Sequence, residues 1–232
     1  MTNKEIQSYI NKLNNNTYAK TIFKYQISDN VDYAKVWQSQ NTKDIIPYRF
    51  FFIKNKSNYV GAVLDMCNDL HWYISPKYRG KGYLTSALNN TILPFIFEVL
   101  EREEQSISIT KSQIGLKNYN SSSKVALSVG FKKTDNNKYV LYEEDFEAAF
   151  DTANVLHKGL NNLEIEKLSQ KLNTIAKQIN QIDAQLESAF GYDVDYYSNT
   201  SLRDLSDKIA SYKYILQDID YDFQESKNKI LK

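Results

Sequence analysis

Two stretches near the end of the chain carry apolar residues at alternating intervals of three and four. The first begins at about Glu164 and places Leu168, Leu172, Ile175, Ile179, Ile182 and Leu186 in the a/d register of a coiled-coil seam. The second repeats it with Leu202, Leu205, Ile209, Tyr212, Leu216, Ile219 and Phe223, and Thr200 or Ser201 followed by Asp204 supplies a capping signal. Phe190 to Thr200, with Gly191, Asp193, Asp195 and Asn199, reads as a loop. Two such helices joined by such a loop predict an antiparallel hairpin.

The earlier part of the chain changes period often. Lys20 to Ile27 reads as a strand, Asn30 to Ser39 as a short helix, and Tyr48 to Ile53 with Tyr59 to Met66 as a hairpin turned at Asn55 to Asn58. Leu70 to Ser75 is a further strand. After Gly82, a helical face runs through Leu84, Ala87, Leu88, Ile92, Phe95, Ile96 and Val99, and Ser106 to Thr110 returns as a strand. Ser122 to Val129 predicts a helix closed by Gly130, followed by strands Phe131 to Thr134 and Tyr139 to Glu143 around a turn at residues 135–137. The aromatic run Tyr48 to Phe52 reads as the two faces of a buried strand.

Composition sharpens the division. All three prolines lie before residue 150, as do all glycines except Gly159 and Gly191. Residues 1–150 hold 19 Lys plus Arg against 15 Asp plus Glu, and 151–232 hold 10 against 13. We therefore expect an α/β domain over 1–150 and a helical hairpin over 151–232 that serves interaction or oligomerisation. A net charge of +1 weighs against a nucleic-acid partner. The lone Cys67 excludes an internal disulfide framework and Cys-rich zinc motifs, and reads as a small buried residue. No metal site is expected: the acidic positions Asp218, Asp220, Asp222 and Glu225 ring a helix and lack the glycine of a Ca²⁺ loop. The expectation is a cytoplasmic chain with no signal peptide or membrane span, because the longest apolar stretch, Ile92 to Leu100, is interrupted by Pro94 and Glu98.

The stretch from His71 to Leu88 carries the chemistry. A strand leads into a short loop with Arg79, Gly80, Lys81 and Gly82, and a helix follows. This order aims backbone N–H groups and the positive end of a helix at one point, which suits a pyrophosphate. Only four of the 29 basic residues are arginines, so an arginine here stands out.

These residues resemble the acyl-CoA-binding motif Arg/Gln-x-x-Gly-x-Gly/Ala of the GNAT superfamily of N-acetyltransferases. Pro76-Lys-Tyr-Arg-Gly-Lys-Gly-Tyr-Leu-Thr-Ser-Ala-Leu88 is similar to the ribosomal-protein N-terminal acetyltransferase (RimJ/RimL) branch. Asn118-Tyr-Asn-Ser-Ser-Ser-Lys-Val-Ala-Leu-Ser-Val-Gly-Phe131 resembles the family's later Asn-x-x-Ser helix. The resemblance covers roughly residues 18–146 and stops before the hairpin.

The resemblance implies a mixed, mostly antiparallel central sheet flanked by helices, with acetyl-CoA or another acyl-CoA as co-substrate. Arg79, Gly80, Lys81, Gly82, Tyr83, Leu84 and Thr85 would hold the pyrophosphate. The edge of Tyr73, Ile74 and Ser75 would pair with the pantetheine arm, in an opening between the strands Leu70–Ser75 and Ser106–Thr110. Asn118, Asn120 and Ser123 would reach the cofactor from the later helix. The acceptor would be an amine of a protein, peptide or small molecule.

Two positions depart from the pattern: Leu84 replaces the motif's last Gly/Ala, and the usual tyrosine acid falls on Ala126, leaving Tyr119 to stand in. For a base, His71, Asp69 and Asp65 lie along one wall, with a structural histidine and turn aspartates as the plain alternative. The alternative function is a non-catalytic CoA-binding or scaffold protein acting through residues 160–230, either as a homodimer or with a protein partner.

Overall fold

The computed structural model describes residues 1–18, 20–39, 45–135, 137–191 and 200–230, in two compact units, Met1–His157 and Lys158–Lys232. The first opens with α1 (Asn3–Asn14), a helix the strand-and-helix expectations above do not include. Its start is fixed by a capping box: Thr2 Oγ1 accepts from the Glu5 amide, and the Glu5 carboxylate accepts from the Thr2 amide. Ile6, Tyr9, Ile10 and Leu13 form its buried stripe. Each aliphatic member stabilises the packing by roughly 1.5–3 kcal/mol on leaving water.

Five antiparallel strands follow in sequence order: β1 (Ile22–Ser28), β2 (Val31–Val36), β3 (Tyr48–Asn55), β4 (Asn58–Asp65) and β5 (Leu70–Ile74). β2 corrects the expected helix over Asn30 to Ser39. It pairs with β1 and β3 along its whole length, and the two residues Asp29 and Asn30 make the turn before it. Helices cover both faces of this sheet, so Val31 and Tyr33 are buried on one side and Ala34 and Val36 on the other. Burial on both faces erases the period-two signal that would mark a strand. Asp32 also lies inside, with Lys24, Lys54 and the Tyr59 hydroxyl on its carboxylate.

The same alternation sorts the aromatic run. Phe50 and Phe52 pack with α1, and Phe51 packs with the elements on the opposite face. Those elements begin with α2 (Tyr83–Ala87), which continues through π-helical turns at Leu88–Ile92 and Phe95–Val99. The wide turns flank Pro94, which has no N–H to give and whose ring crowds the preceding turn.

A second, three-stranded sheet has the order β6 (Glu104–Ser108), β8 (Lys138–Tyr142), β7 (Lys132–Lys133), all antiparallel. Between β6 and β7 runs α3 (Lys111–Ser128), longer than the expected Ser122 to Val129 and broken at Gly115 (φ 76°, ψ 160°). Residue 136 of the expected turn lies outside the described residues. The unit is thus mixed α/β, with mostly antiparallel strands flanked by helices. It runs past residue 150 because Phe146, Phe150 and Val155 join its core and the Leu156 amide donates to Gln26.

In the second unit α4 (Asn162–Phe190) packs along α5 (Leu202–Ile230). Gly159 meets Phe223 and Ser206 Oγ donates to the Ala176 carbonyl at 2.9 Å, so the helices run antiparallel. The Asp204 amide donates to Ser201 Oγ, the expected cap. The seam differs from a full a/d stripe. Leu172, Ile179, Leu186, Ile209, Leu216 and Phe223 are half-buried, while Leu168, Ile182, Leu205, Tyr212 and Ile219 are exposed. Two helices can cover only one edge of each stripe. Residues 192–199 of the expected loop lie outside the described residues.

Candidate functional site

After β5, Pro76–Tyr78 makes one 3₁₀ turn and the chain passes through Gly80 (φ 72°) and Gly82 (φ 79°) into α2. Nothing lies within 4 Å of where a Cβ would stand on either glycine. Backbone conformation, not crowding, is what glycine supplies here. The first regular helical bond is from Ser86 to the Gly82 carbonyl. The amides of Tyr83, Leu84 and Thr85 therefore have no backbone acceptor among the described residues. Leu84 buries its side chain beneath the loop and still leaves its amide free.

Arg79 plays a different part from that expected of a free charge. Its Nε donates to the Ile74 carbonyl at 2.9 Å, and its guanidinium lies over the Tyr73 ring at 5.7 Å. It ties the loop to the end of β5. Lys77 and Lys81 both lie over the Tyr78 ring, at 4.9 and 5.6 Å, and remain exposed beside the free amides.

β5 is the edge strand of its sheet. Ser75 donates to Val60 and Met66 to Asp69, so the paired groups of β5 are those of odd-numbered residues. The backbone groups of Leu70, Trp72 and Ile74 consequently face away from β4. This corrects the expectation for the strand edge: Ile74 presents its backbone there, whereas Tyr73 and Ser75 present theirs to β4. Trp72, absent from the expected set, belongs to the edge. Asp69 Oδ1 accepts from the Leu70 amide and Arg79 occupies the Ile74 carbonyl, which leaves the Trp72 N–H and C=O and the Ile74 N–H open among the described residues.

Those groups look onto a split. β5 and β6 run parallel and meet at one bridge, Asp69 with Ser106. There the Ser106 hydroxyl donates to the Asn68 carbonyl, and the Ser108 amide donates to Asp69 Oδ1 at 2.8 Å. Beyond that point the strands belong to separate sheets.

α3 lines the split from the Trp72 side. Trp72 Nε1 donates to Ser122 Oγ at 3.3 Å, and Tyr119, Ser122, Ser123 and Ala126 share one helical face. Ser123 accepts from the Tyr139 hydroxyl. The hydroxyl of Tyr139 and then the Lys133 ammonium hold the Tyr119 phenol below its usual pKa. Asn118 and Asn120 sit on either side of that face and are exposed, and the Asn118 amide turns back to Ile114 of its own helix. Neither is brought to β5. Ser122, one step from the expected Ser123, makes the cross-element bond, and its three-residue interval from Tyr119 is the signal that marks it.

The expected bases separate into distinct roles. Asp65 is buried and accepts from Arg49 (3.1 Å), Arg102 (2.7 Å) and the Cys67 amide. Asp69 pins the split. His71 faces α1, with Nε2 2.9 Å from Asn3 Oδ1. Burial, then the positive chain terminus, pushes its pKa below the usual value, and Asp69 partly opposes this. Cys67 is exposed rather than buried, because it occupies a left-handed turn position (φ 66°) with its sulfur 2.6 Å from Arg49 Nη2. No protein family model, curated protein or solved structure matches the chain.

Among the described residues, no group of His, Cys, Asp and Glu is arranged to hold a metal ion, and no helix is long and apolar enough to cross a membrane. What the arrangement offers, among the described residues, is a strip of unpaired backbone groups, from the start of α2 to the open edge of β5, with lysines at one end and α3 joined to Trp72 through Ser122. Such a strip can hold an extended ligand with an anion at one end and an amide or carbonyl at the other.

Proposed function

We propose that the first unit is an acyl-CoA-dependent N-acetyltransferase of the GNAT type. The observation that carries this reading is the parting of β5 from β6 directly beside a loop whose helical amides are unpaired. In this reading the amides of Tyr83, Leu84 and Thr85, with Lys77 and Lys81, hold the pyrophosphate. The Trp72 C=O and Ile74 N–H pair with the pantetheine amides, and the Trp72 N–H polarises the thioester carbonyl. Acetyl-CoA supplies an activated acyl group: the nitrogen–carbon bond forms as the carbon–sulfur bond breaks, and the sulfur leaves as a thiol. Tyr119, its pKa lowered by its neighbours, gives the sulfur its proton. The amine's proton leaves through solvent or His71, which burial keeps neutral near pH 7.

Calorimetric titration of acetyl-CoA into the full chain and into Gly82→Glu tests the reading. Micromolar binding by the wild type, lost in the variant, is expected, since the new carboxylate meets the pyrophosphate. The open space around Gly82 leaves backbone strain of about 1–2 kcal/mol as the folding cost, and a thermal melt of the variant checks that it stays folded. A wild type that takes up no acetyl-CoA removes the transferase reading.

The second reading is a scaffold that acts through the hairpin as a homodimer or with a protein partner. The exposed stripe of Leu168, Ile182, Leu205, Tyr212 and Ile219 favours it. A full chain that dimerises by light scattering and ignores acetyl-CoA would establish this reading in place of the first.

A further inference from the structure

Each helix of the hairpin carries more apolar surface than the other can cover. Leu168 and Ile182 of α4, with Leu205, Tyr212, Ile215 and Ile219 of α5, are 39–60% exposed. The helices meet along lines that include the half-buried Leu172 and Ile209. At about 100° per residue, the two on α4 stand about 40–80° to one side of Leu172, and the four on α5 about 40–120° to one side of Ile209. The sense of rotation is the same on both helices. A parallel pair would send the two sets to opposite sides. In the antiparallel pair set by the Gly159–Phe223 and Ser206–Ala176 contacts, they come to one side. The other side carries the exposed polar residues Asn173, Asn180, Gln217 and Gln224.

Width shows how many helices this side serves. From Leu202 to Ile215 the apolar residues of α5 span about 140°. A seam between two helices needs only a narrow a/d line, whereas a stripe wider than about 100° faces a core. A single added helix would sit in the furrow between α4 and α5 and leave Ile215, on the outer flank, in water. A second helical pair covers the whole side and completes a four-helix bundle. Leu168 to Leu186 and Leu205 to Phe223 each run about 27 Å, so two helix widths give roughly 540 Å² in projection. Accessible area exceeds projected area, which brings the face near the ~800 Å² per partner of a stable complex. Charge narrows the choice of partner. Glu164, Lys167 and Lys171 flank the face on α4, and Asp204, Lys208 and Asp222 flank it on α5, so neither a strongly acidic nor a strongly basic partner is selected. The acidic excess of residues 151–232 disfavours an anionic lipid surface. A net charge of +1 on the whole chain sets up no repulsion between copies.

We propose that this face pairs with the same face of a second copy, in a two-fold dimer whose four hairpin helices enclose the exposed Leu, Ile and Tyr residues between them. The proposal rests on the part of the second reading that gives the hairpin a role in association, and it names the partner. One patch serves both copies, so each apolar side chain is covered twice over by a single two-fold contact.

Sedimentation velocity of the full chain from about 1 to 100 μM tests it, with a dimer of micromolar or tighter dissociation constant expected. Leu205→Glu and Ile219→Glu place a charge on the face and each weaken the dimer about tenfold or more. Gln217→Glu places the same charge on the opposite side and leaves the dimer unchanged. All three positions are exposed, and circular dichroism of each variant checks that its helices remain. A chain that stays monomeric at the highest concentration overturns the proposal, as does a dimer indifferent to both face variants or weakened equally by Gln217→Glu. Uptake on phosphatidylserine vesicles that Ile219→Glu abolishes overturns it in favour of a lipid surface. Titration with acetyl-CoA separates the proposal from the readings above. A dimer that also binds acetyl-CoA upholds the pairing alongside the transferase reading. A monomer that ignores acetyl-CoA overturns the pairing and leaves the hairpin to a different protein.

Discussion

The two ends of the β5–β6 pair are built to opposite rules. At the closed end, side chains tie the strands together: Asp69 accepts from the Ser108 amide, Ser106 donates to the Asn68 carbonyl, and Asp65 accepts from Arg49 and Arg102, with Arg102 also holding the Cys67 carbonyl and Gln105. At the open end, a few residues further along the same strand, the Trp72 backbone groups, the Ile74 N–H and the first amides of α2 have no partner among the described residues, while the Ile74 carbonyl is held by Arg79. Unpaired backbone groups cost stability wherever water cannot reach them, so they persist only where solvent or a ligand serves them. The contrast separates residues that hold the split from residues that face it, although both kinds are polar and adjacent in sequence.

Removing the Asp65 carboxylate tests the closed end most severely. Asp65→Ala strands two guanidinium groups that are mostly buried and leaves the Cys67 amide without its acceptor. A loss of about 3–5 kcal/mol is expected, the usual cost of breaking a buried ion pair from one side. Urea unfolding measures it. A loss below about 1 kcal/mol would place the pair among ordinary surface ion pairs and dissolve the distinction between the two ends.

A smaller effect is expected one step nearer the split. Asp69→Ala removes the acceptor for the Leu70 and Ser108 amides, at about 1–2 kcal/mol. Asp69→Asn keeps an oxygen in place and should restore most of that stability. Acetyl-CoA titration sharpens the result: weaker binding by the alanine variant, recovered by asparagine, assigns Asp69 to positioning the split. Loss of turnover in both variants with binding intact would instead give the carboxylate a role in proton transfer.

Much of this was legible in the sequence, and the failures have physical causes. The glycine loop was found because glycines at left-handed positions between a strand and a helix leave a mark in the residues themselves. The hairpin was found because the three-and-four spacing persists over many turns, but the spacing does not say which edge of a stripe a lone pair of helices covers. β2 was missed because helices on both sides make its inner and outer faces equally apolar. α1 carries a readable signature, Thr2 with Glu5 ahead of Ile6, Tyr9, Ile10 and Leu13. The edge assignment of Trp72 and Ile74, against Tyr73 and Ser75, depends on the bonding phase of β5 with β4, and residue types do not encode that phase.

The mildest perturbation concerns His71, which stands on the strand between the two ends. Its pKa is lowered in the folded chain, chiefly by burial beneath α1. A group with a lowered folded pKa binds fewer protons folded than unfolded. Stability from this residue is therefore fully present above about pH 6.5, the unfolded value, and is lost as pH falls through the lower folded value. Denaturant midpoints should decline across that window in the wild type, and less so in His71→Gln, whose carboxamide can still meet Asn3. If His71 also takes the proton of an attacking amine, the pH–rate profile of the proposed acetyl transfer shows an acidic limb in the same window, and His71→Gln removes that limb. A variant that flattens the stability curve and leaves the acidic limb of the rate in place makes His71 a strut between β5 and α1. The proton would then leave through solvent, and the open end would work with backbone groups and Tyr119 alone.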